Sequence, residues 1–332
     1  MPTVRPVDYI ARAAKLAWHL RCPLIALCSG PQVNATRVAR ALTDLDVDFV
    51  ALDLPPVLPL PVAETAELLA GTRLAHSGDL GAKRNLGLML ARAADWRRVV
   101  FLDDDIEVPD PEDLRRAAGL LDDHDGVALR IEGFHDNSVV CHAHRDNGGA
   151  QDSFVGAGAL AVAADRTDGF FPAVYNEDWF FLLGERTLRP LSVTGIAIQQ
   201  EFDPYSSPQR AAGEEFGDVL AEGLFCLIDQ GATIQDADRA FWHDFIRARH
   251  EFILDVLHRV ARRTDARRLP MARSLYAALT QLRHITPDLC TAYLTRWQRD
   301  RARWSTHLAT LPSGIPAEHA FAESHRALRR SA

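Results

Sequence analysis

Residues 99–110 read VVFLDDDIEVPD. Four apolar residues run into three consecutive aspartates, and the apolar pattern resumes at Ile106. A short all-apolar run is the signature of a buried strand, so Asp103, Asp104 and Asp105 stand at its carboxyl end. Like charges side by side repel, and burial strengthens the repulsion. Unless the triplet is a solvated turn, where Asp is common, it calls for positive charge nearby. Alternate residues of an extended segment face one side, which directs Asp103 and Asp105 into one pocket and Asp104 away from it. Mg2+ and Mn2+ prefer oxygen ligands and keep waters and substrate phosphates. A divalent cation bridging the two carboxylates to a diphosphate is therefore the expected source of the charge.

The flanking sequence sets this strand in an α/β frame. PLIALC (23–28) and DFVALD (48–53) are further buried strands, with a helical period over 33–43 between them. LPPVLPLPV (54–62) is loop or extended chain. LGAKRNLGLMLARAAD (80–95) is a helix with Leu86, Met89 and Leu90 on its apolar side. Nearly all-apolar strands alternating with helices predict a mostly parallel sheet covered on both faces, and ligands bind beyond the carboxyl ends of such strands. GVALRIEG (126–133) and NSVVCHAHRD (137–146) read as strands, which would put His142 and His144 on one face. A glycine-rich loop (146–158) enters another strand, and YNEDWFFLLGER (175–186) reads as a helix capped by Asn176. TGIAIQQEF (194–202) is a late strand, and residues 206–229 form a helix with Pro208 in its first turn. From about residue 236 the pattern is helical, through Phe241, Phe245, Phe252 and Val256. The expected division is an α/β domain over 1–235 and a helical C-terminal region over 236–332, its last residues, ESHRALRRSA, frayed.

Composition narrows the function. The 332 residues are 47% hydrophobic and 25% charged, with a net charge of −8, an ordinary globular balance and the wrong sign for a general nucleic-acid binder. No run approaches the roughly 20 apolar residues of a membrane span. The first twenty residues, MPTVRPVDYIARAAKLAWHL, read as an amphipathic helix interrupted by charge, without the apolar core of a signal peptide. The five cysteines are scattered and never spaced CxxC, which argues against a disulfide framework or a structural zinc site. The expectation is a cytoplasmic protein with reduced thiols.

A strand followed by D-x-D, about twenty residues after a helix bearing AKRN, resembles the GT-A nucleotide-sugar transferases of the family-2 type. GAGAL (156–160) resembles their glycine-rich loop facing acceptor and donor sugar, and Asn176-Glu177-Asp178 resembles the E-D pair that opens a helix in those enzymes. The resemblance covers roughly residues 22–230. It implies a GT-A fold with a mixed, mostly parallel sheet flanked by helices, a GDP- or UDP-sugar donor, Mn2+ or Mg2+ as cofactor and a separate acceptor whose identity the motifs do not state.

The resemblance also implies roles. Ser29, Gly30 and Asp53 would cradle the nucleoside, although Asp53 also suits a plain turn. Lys83, Arg84 and Asn85 would meet the diphosphate at a helix start, although they also suit a solvated helix face. Asp103, with Asp104 beside it, would contact the ribose or metal, and Asp105 would hold the metal. Gly156 and Gly158 would face the sugar. Asp178 would be the general base, with Glu177 beside it raising its pKa; acids are also favoured in any first helical turn. Many such enzymes carry a histidine metal ligand on the strand after the ED helix; here that region reads IAIQQEFDPYSS, leaving Gln200, Asp203 or water. His142 and His144 are better suited to packing than to ligation.

A second resemblance changes the reaction class. The uninterrupted DDD and the later YNEDW also resemble the flavin-independent nucleotide-sugar mutases of the reversibly glycosylated polypeptide family. There an arginine after the DDD strand takes part in the chemistry, and VALRIEGF sets Arg130 in a comparable context. A non-enzymatic nucleotide-sugar-binding scaffold is the third reading. A dehydrogenase is disfavoured, because no GxGxxG follows the first strand. The helical C-terminal region would shape an acceptor pocket, or dock or dimerise.

Overall fold

The structure, a computed structural model, describes residues 1–312 and 314 except 56, 57, 59, 136 and 151–154. Parts of the proline-rich stretch, part of the glycine-rich loop and the C-terminal segment expected to fray therefore lie outside the described residues. β1 (Pro2–Thr3) leads through a 3-10 turn (Val7–Tyr9) into α1 (Ile10–Leu20). β2 (Leu24–Cys28), α2 (Ala35–Leu42), β3 (Phe49–Asp53), α3 (Glu64–Leu69) and α4 (Leu80–Ala93) follow. Next come β4 (Arg98–Leu102), β5 (Ile106–Glu107), α5 (Pro111–Leu120), β6 (Gly126–Gly133), α6 (Val139–Asp146), β7 (Ala159–Ala163), α7 (Glu177–Leu182) and β8 (Leu191–Gln199). The chain then becomes helical: α8 (Pro208–Asp229), α9 (Arg239–Ala261), α10 (Arg268–Leu282) and α11 (Pro287–Thr310).

The architecture is α/β with a helical C-terminus. In place of one mostly parallel sheet there are two. β1, β2 and β3 form a parallel sheet in that order, with Cys28 opposite Asp53. The second sheet runs β4-β7-β6-β8-β5 and is mixed: β7 is antiparallel to both neighbours, β5 is antiparallel to β8, and only β6 and β8 pair in parallel. The reason lies in the connections. The Asp103 amide donates to the Gly158 carbonyl, 2.9 Å away, so the chain re-enters the sheet at the carboxyl end of β4 and must run back along it. Between β2 and β4 lies a cleft of about 680 Å3, with Leu16, Leu24, Ile25, Leu27, Val99 and Phe101 in its walls.

Three local expectations give way to the structure. The first twenty residues are helical only over Ile10–Leu20, because Pro6 supplies no amide donor and holds an extended backbone ahead of the turn. Residues 137–146 are not a strand. Val139–Asp146 is a helix whose Ser138 side chain accepts from the Cys141 amide, and VVCHAH satisfies either period. The helix expected over 175–186 is only Glu177–Leu182; Asn176 sits in the left-handed region at φ 61°, and its side chain donates to Asp218 instead of capping.

The helices after β8 share the α/β core. Phe180 on α7 makes edge contacts with Tyr293 and Trp297 of α11, both fully buried. A buried ionic knot ties α9 to α8: the Arg249 guanidinium donates to Glu215, Asp218 and Glu222, with ion-pair distances of 3.0, 2.7 and 2.6 Å. Burial pushes the Glu215 and Asp218 carboxyls up, and Arg249 opposes that rise. Among the described residues no helix is long and apolar enough to cross a membrane. Removing one partner of such a buried cluster leaves uncompensated charge, so Arg249→Ala should cost about 3–5 kcal/mol in urea unfolding at neutral pH. Carboxyls with raised folded-state pKa stabilise most below the unfolded carboxylate range, near pH 4, so the deficit should shrink on acidification and be largest at neutral pH.

Candidate active site

The positive charge around the aspartates comes from two arginines far apart in sequence. Residues 3–5 pass beside the triplet, and Asp104 holds them: its Oδ2 accepts from the Thr3 hydroxyl (3.0 Å) and from the Val4 and Arg5 amides (3.0 and 3.1 Å). Its Oδ1 accepts from Arg5 Nε at 3.0 Å. Asp104, expected among the cofactor-binding residues, is thus a structural anchor, because both of its oxygens are engaged by the N-terminal segment. Arg5 Nη2 reaches on to Asp105 Oδ2 at 2.8 Å.

The second cation is Arg84 on α4, only 2% exposed at its side chain. Its Nη2 donates to both oxygens of Asp103 (2.9 and 2.8 Å) and its Nη1 to Glu177 Oε1 (2.7 Å). Burial pushes Asp103 up to about 6 against the pull of Arg84, with Asp105 and Asp178 adding to the rise. Glu177 is driven up to about 8, by burial first, with Arg84 pulling it down and Asp178 raising it. Asp178 is the less buried of the pair. Its Oδ2 accepts from the Ala157 amide (2.8 Å) and its Oδ1 from the Trp179 amide (2.9 Å), so it fixes the described end of the glycine-rich loop. The E-D turn is pressed against α8, where a side chain at Gly217 would collide with the Tyr175 carbonyl.

These groups face two adjoining cavities. One, of about 220 Å3, is lined by Asp103, Asp105, Gly158 and Gln199 with Arg5, Phe202 and Arg210. The other, of about 140 Å3, is lined by Asp103, Gly158, Arg84, Glu177 and Asp178 among others, including Asp218 and Glu222. Asp103 and Gly158 belong to both. Asp103 follows β4 and Gln199 ends β8, so the cavities they line lie at the carboxyl ends of strands.

Several expected residues stand elsewhere. Lys83 is buried, donating to the Thr3 carbonyl at 3.1 Å and pairing with Asp79 at 3.0 Å. The Asn85 amide clamps the Phe171 backbone, both bonds 2.8 Å, which consumes the groups expected to meet a diphosphate. The Ser29 amide donates to Thr3, Gly30 takes φ 80°, and Asp53 accepts from the Ala35 amide at 2.7 Å. None of these, nor Gly156, lines either cavity. Arg130 is 64% exposed, pairs with Glu132 at 2.9 Å, and lines a separate surface groove with Asp113 and Arg116. It lines neither of the cavities that hold Asp103. The expected His142–His144 pair on one strand face dissolves with the strand; His142 stacks on Phe134, and burial lowers it to about 4. The Asp203 carboxylate accepts from the Tyr205 amide, and Gln200, with its amide turned, accepts from Arg12.

Among the described residues no three His, Cys, Asp or Glu side chains gather to hold a metal ion. The larger cavity offers two carboxylates, Asp103 and Asp105, and the Gln199 Oε1 oxygen, which is buried and without a partner. This all-oxygen set suits Mg2+ or Mn2+, which take few protein ligands and leave positions for phosphate and water. Gln199, Arg5 and Arg210 are the cavity residues that sequence reasoning missed; Gln199 neighbours the expected Gln200, and alternation along β8 was its only signal. No family model matches the chain, and neither does any curated protein.

The raised Glu177 carboxyl has a stability consequence. A folded-state pKa above the unfolded one adds stability that is complete below the ordinary carboxylate range and lost as pH rises through about 8. Glu177→Gln should flatten the fall in urea-unfolding stability between about pH 5 and pH 8, removing a slope of at most about 1.4 kcal/mol per pH unit. An unchanged slope would place the proton elsewhere.

Proposed function

We propose that the chain is a glycosyltransferase that draws its sugar from a nucleoside diphosphate. The observation that carries this reading is that Asp103 and Gly158 line both cavities, which sets Asp103 and Asp105 next to the Glu177–Asp178 turn. In this reading the larger cavity receives the diphosphate, with Asp103, Asp105 and Gln199 as the oxygens that would hold Mn2+ or Mg2+. That ion would supply positive charge to the departing diphosphate. Arg84 holds Asp103 and Glu177 in place, and Arg5 and Arg210 bring further positive charge to the cavity wall.

Asp178 is the group assigned to take the acceptor's proton. It lines the smaller cavity, it is the more accessible of the two acids, and two backbone amides orient its carboxylate. The acceptor oxygen, freed of its proton, bonds to the anomeric carbon as the bond from that carbon to the diphosphate oxygen breaks. The exposed position of Arg130 gives the mutase reading no comparable support.

Incubating the protein with Mn2+ and a panel of GDP-, UDP- and dTDP-sugars, followed by liquid chromatography with mass detection, should release nucleoside diphosphate slowly from one member. Conversion to an isomer of identical mass would replace the transferase with a mutase, and no consumption together with no calorimetric binding of any member would refute both. Asp178→Asn should keep calorimetric binding of the nucleotide while turnover falls about 100-fold or more; near-native turnover would remove Asp178 as the base.

A further inference from the structure

We infer that Arg5 is an exchangeable counter-ion that occupies Asp105 until a divalent cation takes its place, and then serves the diphosphate. The inference rests on the transferase reading for its second half only. The three cations around the larger cavity differ in what holds them. Arg84 is buried and bound to two carboxylates at once, so it cannot leave. Arg210 lies over the Phe202 ring at 4.3 Å and pairs with Glu214 at 2.8 Å. Arg5 is the one paired with Asp105 itself: its backbone is pinned, and its side chain, 37% exposed, has room to move.

The pin is independent of the guanidinium. The Thr3 hydroxyl and the Val4 and Arg5 amides all donate to Asp104 Oδ2, whereas the Arg5 side chain contributes the contacts to Asp104 Oδ1 and Asp105 Oδ2. The side chain can therefore leave Asp105 without freeing the strap formed by residues 3–5. The Asp105 side chain is only 16% exposed and shares the cavity with Asp103 and the unpartnered Gln199 oxygen, so a small cation is the natural competitor for its oxygens. A guanidinium displaced from Asp105 stays at the wall of the same cavity, where its flat array of donors matches phosphate oxygens.

The test reads two ligands in three proteins: wild type, Arg5→Gln and Arg5→Lys. MnCl2 alone is titrated and followed by the electron paramagnetic resonance signal of the free ion. UDP and GDP are titrated by calorimetry at saturating Mn2+. Arg5→Gln should bind Mn2+ at least tenfold more tightly than wild type, and bind the preferred nucleotide at least tenfold more weakly. Arg5→Lys keeps the charge but not the fork, and should fall between on both. Mn2+ affinity that is unchanged or weaker in Arg5→Gln overturns the exchange, and nucleotide affinity that rises alongside it overturns the diphosphate role. If wild type binds neither nucleotide, the transferase reading has failed, while the Mn2+ comparison still decides whether Arg5 competes for Asp105. Should Arg5→Gln fail to fold, the same two affinities measured in Arg5→Lys support or overturn the exchange in the same directions.

Discussion

The guanidinium of Arg84 joins the end of β4 to the start of α7, two segments more than seventy residues apart in sequence. Its depth makes it costly: taking an ion out of water is repaid only by good geometry and several hydrogen bonds. Here the repayment comes from three bonds to two carboxylates and from the face of Phe171, 5.5 Å from the charge. Its neighbours splint it. Lys83 ties α4 to residue 3, Asn85 ties it to the Phe171 backbone, and Phe171 in turn stacks on Phe181 of α7 at 4.2 Å. Gly87 lets the same helix lie close against Phe101 of β4. Position, more than stability, is what this arrangement secures.

Two cations serve the three aspartates, Arg84 at Asp103 and Arg5 at both Asp104 and Asp105. Asp103 faces Arg84 from below, Asp105 faces Arg5 from the strap, and Asp104 turns away to organise the strap itself. Repulsion among adjacent carboxylates is thus relieved by spatial separation as well as by counter-charge. The smaller cavity keeps an excess of acid, with five carboxyl groups in its lining against the guanidinium of Arg84, whereas in the larger one Asp103 and Asp105 are matched by Arg5 and Arg210.

The frame was legible where local pattern and burial agree. LIALC and VVFL are all-apolar and lie in β2 and β4, and Asp103 and Asp105 line one cavity without Asp104. The approach of the E-D turn to the aspartates was legible only through resemblance. What escaped was long-range. Nothing local announces that residue 5 will meet residue 105, that Asn85 will clamp Phe171, or that Arg249 will gather three acids from α8. The misread segment 137–146 shows the other limit: VVCHAH fits both periods, and the Ser138 cap decided for helix. The direction of β7 was hidden for a similar reason, since it follows from where the chain re-enters the sheet.

The cleft between β2 and β4 bears on how the molecule responds to compression. Its walls are largely aliphatic, and its floor is the seam where two sheets lie side by side without a shared ladder. Poorly packed space in a folded chain disappears on unfolding, so the unfolded state occupies less volume and hydrostatic pressure favours it. Squeezing the protein, unlike heating it, would act first on the parallel sheet that carries the N-terminal strap, before it reached the densely packed aromatic core around Phe180 and Trp297.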